Sequence, residues 1–200
     1  MRTKLYIAKL DRLYDGEVFA QSFATLPEYR QRKILALANI NAKVQSMGVW
    51  LLLCKALADV GITEIGEISL GEYGKPSLKN APFFSLAHTD KAAVCAVSDS
   101  DVGVDCERIK KPDMRVAKRF FTESELAYVN GGDVPERFFA VWTAKESYVK
   151  ANGMGLSMPL ASFSVFDVSG YVITPYRTQD LLVSVCSRDV PEKEPEFVIL

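Results

Sequence analysis

The sequence predicts an α+β fold made of two similarly built halves, and two observations predict it. Helical periodicity dominates from about Glu17 to Val60 and short apolar or alternating runs follow to Glu107. The same succession of helices and then strands starts again after Lys110-Lys111-Pro112-Asp113. The chain has 200 residues, 48% of them hydrophobic, which is enough to bury a substantial core in one large or two small domains. No strict sequence repeat accompanies the pattern, so the symmetry is one of element order. The expected division is residues 1–101 and 102–200.

Thr3 to Leu10 alternates loosely and reads as a first strand. The helical stretch after it is interrupted at Leu26-Pro27 and near Asn39 to Asn41, and Gly61 stops it. Ile65 to Leu70, Phe83 to Ala87, Ala92 to Ser98 and Val102 to Glu107 read as strands separated by Gly, Pro, Asp and Ser. In the second cycle Met114 to Phe121 reads as a helix. Thr122, with Glu125 three residues on, has the form of a capping box opening another helix to Val129. Asp133 caps a longer helix, with Pro135 in its first turn, that runs to Ala151 and closes at Asn152-Gly153. Ser162 to Phe166, Gly170 to Pro175, Leu181 to Cys186 and Phe197 to Leu200 read as closing strands.

A formal net charge of −1 argues against broad capture of nucleic acid. Four widely separated cysteines form no CxxC pair and His88 is the only histidine, which excludes a multi-histidine metal site and points to a reducing compartment. The apolar run near Val49 to Leu57 is broken by Lys55 and is shorter than the ~20 residues a membrane helix needs. Met1 to Lys9 has no signal-peptide core. The expectation is a cytoplasmic protein without membrane partners.

The chemistry-bearing residues fall in two runs. In Gly103-Val104-Asp105-Cys106-Glu107, a strand would turn both carboxylates to one face. In Trp142-Thr143-Ala144-Lys145-Glu146, leading to Lys150, a helix would stack Trp142, Glu146 and Lys150 along one side. Three carboxylates and a lysine then converge, a set that suits magnesium and phosphoryl chemistry. Each piece has an ordinary counterpart: the wet face of an edge strand, and a helix-stabilising Glu-Lys pair. Gly153-Met154-Gly155 frees backbone amides beside Lys150. Gly74-Lys75-Pro76 reads as a turn from which Lys75 projects outward, and His88 ends a strand. The basic cluster of Arg108, Lys110, Lys111, Arg115, Lys118 and Arg119 fits either a solvated helix face or an acidic protein partner.

These runs resemble the 4′-phosphopantetheinyl transferases, in their two-halved, surfactin-synthetase-activating (Sfp-like) type. The matching pieces are Gly74-Lys75-Pro76, Phe84 to His88, Gly103 to Glu107, Lys118-Arg119-Phe120-Phe121, and Trp142 to Ser147 continuing through Lys150 to Leu156. They lie in the family's order. The resemblance implies two pseudo-symmetric α/β halves with the active site at their interface and coenzyme A as co-substrate. By the same carry-over, Asp105, Glu107 and Glu146 would hold Mg2+, and Lys150 would contact the phosphates. Lys75 and His88, with Pro76 and Thr89 beside them, would hold the adenosine 3′-phosphate end on the N-terminal side. The Met114 to Phe121 segment would meet the carrier protein. Ala87 stands where many members have serine, with Thr89 as a substitute hydroxyl, and Lys43-Val44-Gln45 occupies a stretch where relatives often carry an arginine.

The implied activity is Mg-dependent transfer of 4′-phosphopantetheine from coenzyme A to a serine of an apo acyl or peptidyl carrier protein, releasing adenosine 3′,5′-bisphosphate. In that reaction Glu146 and Lys150 would be the catalytic residues and the chain would work as a monomer. Two alternatives use the same residues: a magnesium-dependent nucleotide pyrophosphate hydrolase, and a non-catalytic module binding coenzyme A or a carrier protein.

Overall fold

The computed structural model describes residues 2–179 and 181–200 and has a mixed α+β architecture. Its first strand, β1 (Lys4–Lys9), leads through a 3-10 turn into three helices, α1 (Gly16–Ala24), α2 (Glu28–Leu35) and α3 (Ile40–Ala58). The breaks fall at Pro27 and at Asn39, whose side chain accepts a hydrogen bond from Ala42 N and so starts α3. Two short strands, β2 (Ser69–Leu70) and β3 (Pro76–Ser77), pair with each other. Next come β4 (Phe83–His88), β5 (Ala92–Ser98) and β6 (Val102–Arg108). Three helices follow, α4 (Met114–Phe120), α5 (Glu123–Asn130) and α6 (Val134–Asn152), and then β7 (Val172–Arg177), β8 (Leu181–Ser187) and β9 (Glu196–Val198).

The longer strands form a four-stranded sheet in the order β4-β5-β1-β9 and a three-stranded sheet in the order β6-β8-β7. Alternation along β1 decides which face meets what. Tyr6, Ala8 and Leu10 pack under α3, while Leu5 and Ile7 join Val104, Val183 and Val185 in a second core between the two sheets. β9 runs parallel to β1, so the end of the chain returns to the first sheet.

Most element readings hold within a residue or two, with a few exceptions. Only Ser69–Leu70 of the Ile65 to Leu70 run is strand. The run Ser162 to Phe166 is not a strand at all. Lys145 takes the carbonyls of Leu160 and Phe163, and Glu125 accepts from Val165 N, so side chains satisfy a backbone that would otherwise need a neighbouring strand. Gly170 to Pro175 shifts to Val172–Arg177, with Gly170 in the turn before it at φ 73°. Among the described residues no helix is long and apolar enough to cross a membrane.

Candidate functional site

The site is built where α6 lies across β6. Asp133 starts α6 by accepting from Glu136 N at 3.0 Å, Pro135 sits in its first turn, and Gly153 ends it in the left-handed conformation at φ 70°. Gly103 on β6 allows the approach, because a Cβ there would overlap the Ser147 carbonyl oxygen and the Ala151 nitrogen. The glycine of the Gly103-Val104-Asp105 run therefore sets how near the helix side chains come to the strand carboxylates. The two sheets are also tied here, since Val104 N donates to the buried Ser85 Oγ of β4 at 3.0 Å.

Asp105 and Glu107 both point out of the inter-sheet core, alternating with the buried Val104 and Cys106. Lys150 reaches Asp105 from α6. Its Nζ donates to Asp105 Oδ1 at 2.7 Å and to the Val104 carbonyl at 3.0 Å. The Glu-Lys pairing one turn apart, the ordinary reading of Glu146 and Lys150, does not form: Lys150 makes its ion pair with the strand.

Burial raises the proton affinity of all three carboxylates above the usual range, and the charge of Asp105 adds to the rise at Glu107 and Glu146. For Asp105 the Lys150 ammonium opposes but does not reverse it. Glu146, Asp105 and Glu107 thus feel one another's charge. Among the described residues, however, no three His, Cys, Asp or Glu groups are gathered closely enough to hold an ion as they stand.

His88 ends β4 opposite Ala93 with its residue exposed, and partial desolvation, then the Lys150 charge, hold it below the ordinary histidine value. Thr89 Oγ1 accepts from Lys91 N and Ala92 N at 3.1 and 3.2 Å, which closes the β4–β5 turn and leaves its O–H proton available to a ligand. Pro76 pairs with Leu70. Lys75 corrects the expectation of an outward lysine: its Nζ donates to the Ala151 carbonyl at 2.7 Å and lies 3.8 Å from Asp101. It is drawn in because Gly153 ends α6 beside it, offering terminal carbonyls that a cation satisfies. Burial lowers its proton affinity.

Lys75, Pro76 and Lys150 line one cleft of about 200 Å³, together with Tyr73, Leu86 and Val149. Thr89 and Glu107 line a neighbouring hollow of about 380 Å³. Val44, on α3, is fully buried in the core of the first sheet.

The sequence reading missed Lys145 and the second task of Glu125. Their side chains, both 0% exposed, form an ion pair of 2.9 Å beneath the site. The signal was present: Lys145 falls in the stripe Phe138, Val141, Lys145, Val149, where a lysine interrupts buried apolar residues at helical spacing.

Comparison with known proteins identifies the family. The profile of the 4′-phosphopantetheinyl transferase superfamily matches residues 101–191. The chain is 32% identical to the 4′-phosphopantetheinyl transferase gsp of Aneurinibacillus migulanus over 80% of this chain and 70% of that one. It is 34% identical to a 4′-phosphopantetheinyl transferase of Bacillus subtilis over 81% and 75%. With the enzyme Sfp of Bacillus subtilis strain 168 it shares 38% identity over 48% of this chain and 46% of that protein. This chain belongs to the 4′-phosphopantetheinyl transferase superfamily, with its Sfp-like members, and is an enzyme of that class.

Proposed function

We propose that this protein transfers the 4′-phosphopantetheine group of coenzyme A to a serine of an apo acyl or peptidyl carrier protein, releasing adenosine 3′,5′-bisphosphate. The observation that carries the reading is the Lys150–Asp105 contact between α6 and β6, with Glu107 and Glu146 in electrostatic reach of it. In this reading residues 1–101 and 102–200 are the two pseudo-symmetric halves, with β9 crossing back, and the reaction takes place at their interface. The placement of α3 on one sheet and α6 on the other supports it.

The donor set fits Mg2+. By their chemistry, three carboxylates only partly offset by Lys150 and, at Glu107, by Lys110 suit a hard divalent cation, although they do not stand gathered around one point. Asp105, Glu107 and Glu146 would hold the ion, which when bound would neutralise charge on the pyrophosphate of coenzyme A. Lys150 would exchange Asp105 for a phosphate oxygen and act as a fixed cation. Glu146, with its raised proton affinity, would accept the serine proton directly or through water as the oxygen attacks phosphorus. Lys75 would leave the Ala151 carbonyl for the adenosine 3′-phosphate end. His88 and the Thr89 hydroxyl would contact the same group, and Pro76 would fix the turn that presents Lys75. Helix α4, with Lys118 and Arg119 exposed, would meet the acidic surface of the carrier. We further propose that the protein works as a cytoplasmic monomer and takes no nucleic acid.

The test is the intact mass of an apo carrier protein after incubation with coenzyme A, Mg2+ and this protein. A pantetheine-sized gain is expected. Consumption of coenzyme A without any carrier would favour hydrolysis, and unchanged coenzyme A with unmodified acyl and peptidyl carriers would favour a binding module.

A further inference from the structure

The β6–β8 register sets Val102 opposite Ser187, so the residues just outside that pair, Asp101 and Arg188, meet at one end of the second sheet. Arg188 Nη2 lies 3.4 Å from Asp101 Oδ2, and Lys75 Nζ lies 3.8 Å from Asp101 Oδ1. One carboxylate thus stands between two cations, with an oxygen toward each. Both separations are longer than a closed N–H···O bond, so neither cation has captured it.

The two cations are not equally free. Arg188 donates from Nη1 to the Gly170 carbonyl at 3.2 Å, and its guanidinium carbon lies 3.9 Å from the centre of the Tyr171 ring. Tyr171 in turn packs edge-on against Tyr148 of α6, with ring centres 5.5 Å apart. Lys75 rests on the Ala151 carbonyl and stands in the wall between two hollows. One is the cleft that also holds Lys150, and the other, of about 330 Å³, is lined by Asp101, Leu78 and Phe83.

We propose that Arg188 is a positioning residue for coenzyme A: it takes Asp101 over when the adenosine 3′-phosphate arrives, and so frees Lys75 to turn to that phosphate. The inference rests on the proposed assignment of Lys75 to the 3′-phosphate and deepens it. A carboxylate left beside Lys75 repels the phosphate and competes with it for the same ammonium. Closing the 3.4 Å contact onto a guanidinium already fixed by Gly170 and Tyr171 removes both penalties with a small movement of one side chain. Lys75 feels both charges in the free protein: burial lowers its proton affinity, Asp101 opposes that, and Arg188 adds to it. Asp101 and Arg188 keep 40% and 44% of their side chains exposed, so the effect is modest and falls as salt is added.

The test is calorimetric titration of the intact protein, at low ionic strength, with coenzyme A and with 3′-dephospho-coenzyme A. The wild type should bind coenzyme A more tightly. Arg188→Gln should weaken coenzyme A about threefold to fivefold and leave the dephospho form unchanged. In an Asp101→Asn background the same Arg188→Gln change should cost coenzyme A nothing, because no carboxylate remains to be moved. A loss shared by both ligands would mean that Arg188 only supports the Tyr171 ring, and an equal loss in the two backgrounds would mean that it acts on the phosphate by itself. Either result overturns the proposal. Wild-type discrimination kept in Arg188→Gln also overturns it, while Lys75 retains its role. A wild type that does not tell the two ligands apart would remove Lys75 from the 3′-phosphate, and this inference with it.

Discussion

Two lysines five residues apart on α6 make opposite use of the same chemistry. Lys145 is 0% exposed and spends all three of its donors: on Glu125, and on the Leu160 and Phe163 carbonyls at 2.8 Å each. Its ammonium also lies 4.4 Å from the centre of the Phe163 ring. Lys150 keeps 32% of its side chain exposed, donates to Asp105 and the Val104 carbonyl, and retains a donor for the cleft. A cation with every donor satisfied inside the protein cannot turn to a substrate without leaving a buried carboxylate exposed to no partner. A half-exposed cation with one donor free can turn at small cost. Completeness of the hydrogen-bond set, more than the presence of an ion pair, separates the structural lysine from the reactive one.

The largest effect expected from this contrast is on stability. Lys145→Met removes the partner of a fully buried carboxylate and two acceptors' donor, a change that costs about 3–5 kcal/mol in comparable buried pairs. For a chain of 200 residues that is a fall in Tm on the order of 10 °C. The second substitution Glu125→Gln should recover part of the loss, because it removes the unpaired buried charge, although the single amide oxygen can keep only one of the two backbone donors, Thr122 N or Val165 N, that now bond to separate carboxylate oxygens. Thermal unfolding of the single and double variants measures both. A Lys145→Met protein that melts with the wild type would remove the distinction.

The next effect is on rate. Glu146→Ala and Asp105→Ala should each lower transfer on the order of a hundredfold or more, with Tm near that of the wild type. Lys150→Met should act in the same direction. Asp105 then loses its cation, and because burial raises its proton affinity, taking up a proton costs it less than it would cost an exposed carboxylate, which limits the loss of stability. Single-turnover transfer and melting curves on the same samples separate the two lysines: one variant should lose stability and the other rate.

How much of this was legible from sequence follows from the range of the signals. Caps are local, so Asn39, the Thr122–Glu125 box, Asp133 and Gly153 could be read directly, and with them the ends of α3, α5 and α6. Period and spacing brought Asp105, Glu107, Glu146 and Lys150 to facing sides of a strand and a helix. The pairing of Lys150 with Asp105 rather than Glu146 depends on Gly103 admitting α6, a tertiary contact across 45 residues that no local pattern contains. Lys75 was misread for the same reason, since its acceptor, the Ala151 carbonyl, lies 76 residues away. The run Ser162 to Phe166 looked like a strand from its apolar residues, while its backbone partners are two charged side chains on α5 and α6.

The smallest effect concerns α4, and it sharpens the contrast by moving to two exposed cations that form no ion pair among the described residues, one of which, Arg119, lies against a ring. Lys118 and Arg119 are exposed in the last turn of α4. Arg119 lies 5.0 Å from the centre of the Phe120 ring, which in turn packs 6.1 Å from Trp142 on α6. Neither residue forms an ion pair among the described residues, so reversing them leaves no buried charge behind and Tm should hold. What changes is the field met by an acidic carrier. Lys118→Glu/Arg119→Glu should raise the KM for the carrier several-fold with kcat little altered, and the defect should shrink as salt is added, because rim charges act mainly on encounter. The same variant with an unchanged carrier KM at low salt would move the docking surface away from α4, and a loss in kcat instead would mean that Phe120 and Trp142 carry the disturbance into α6.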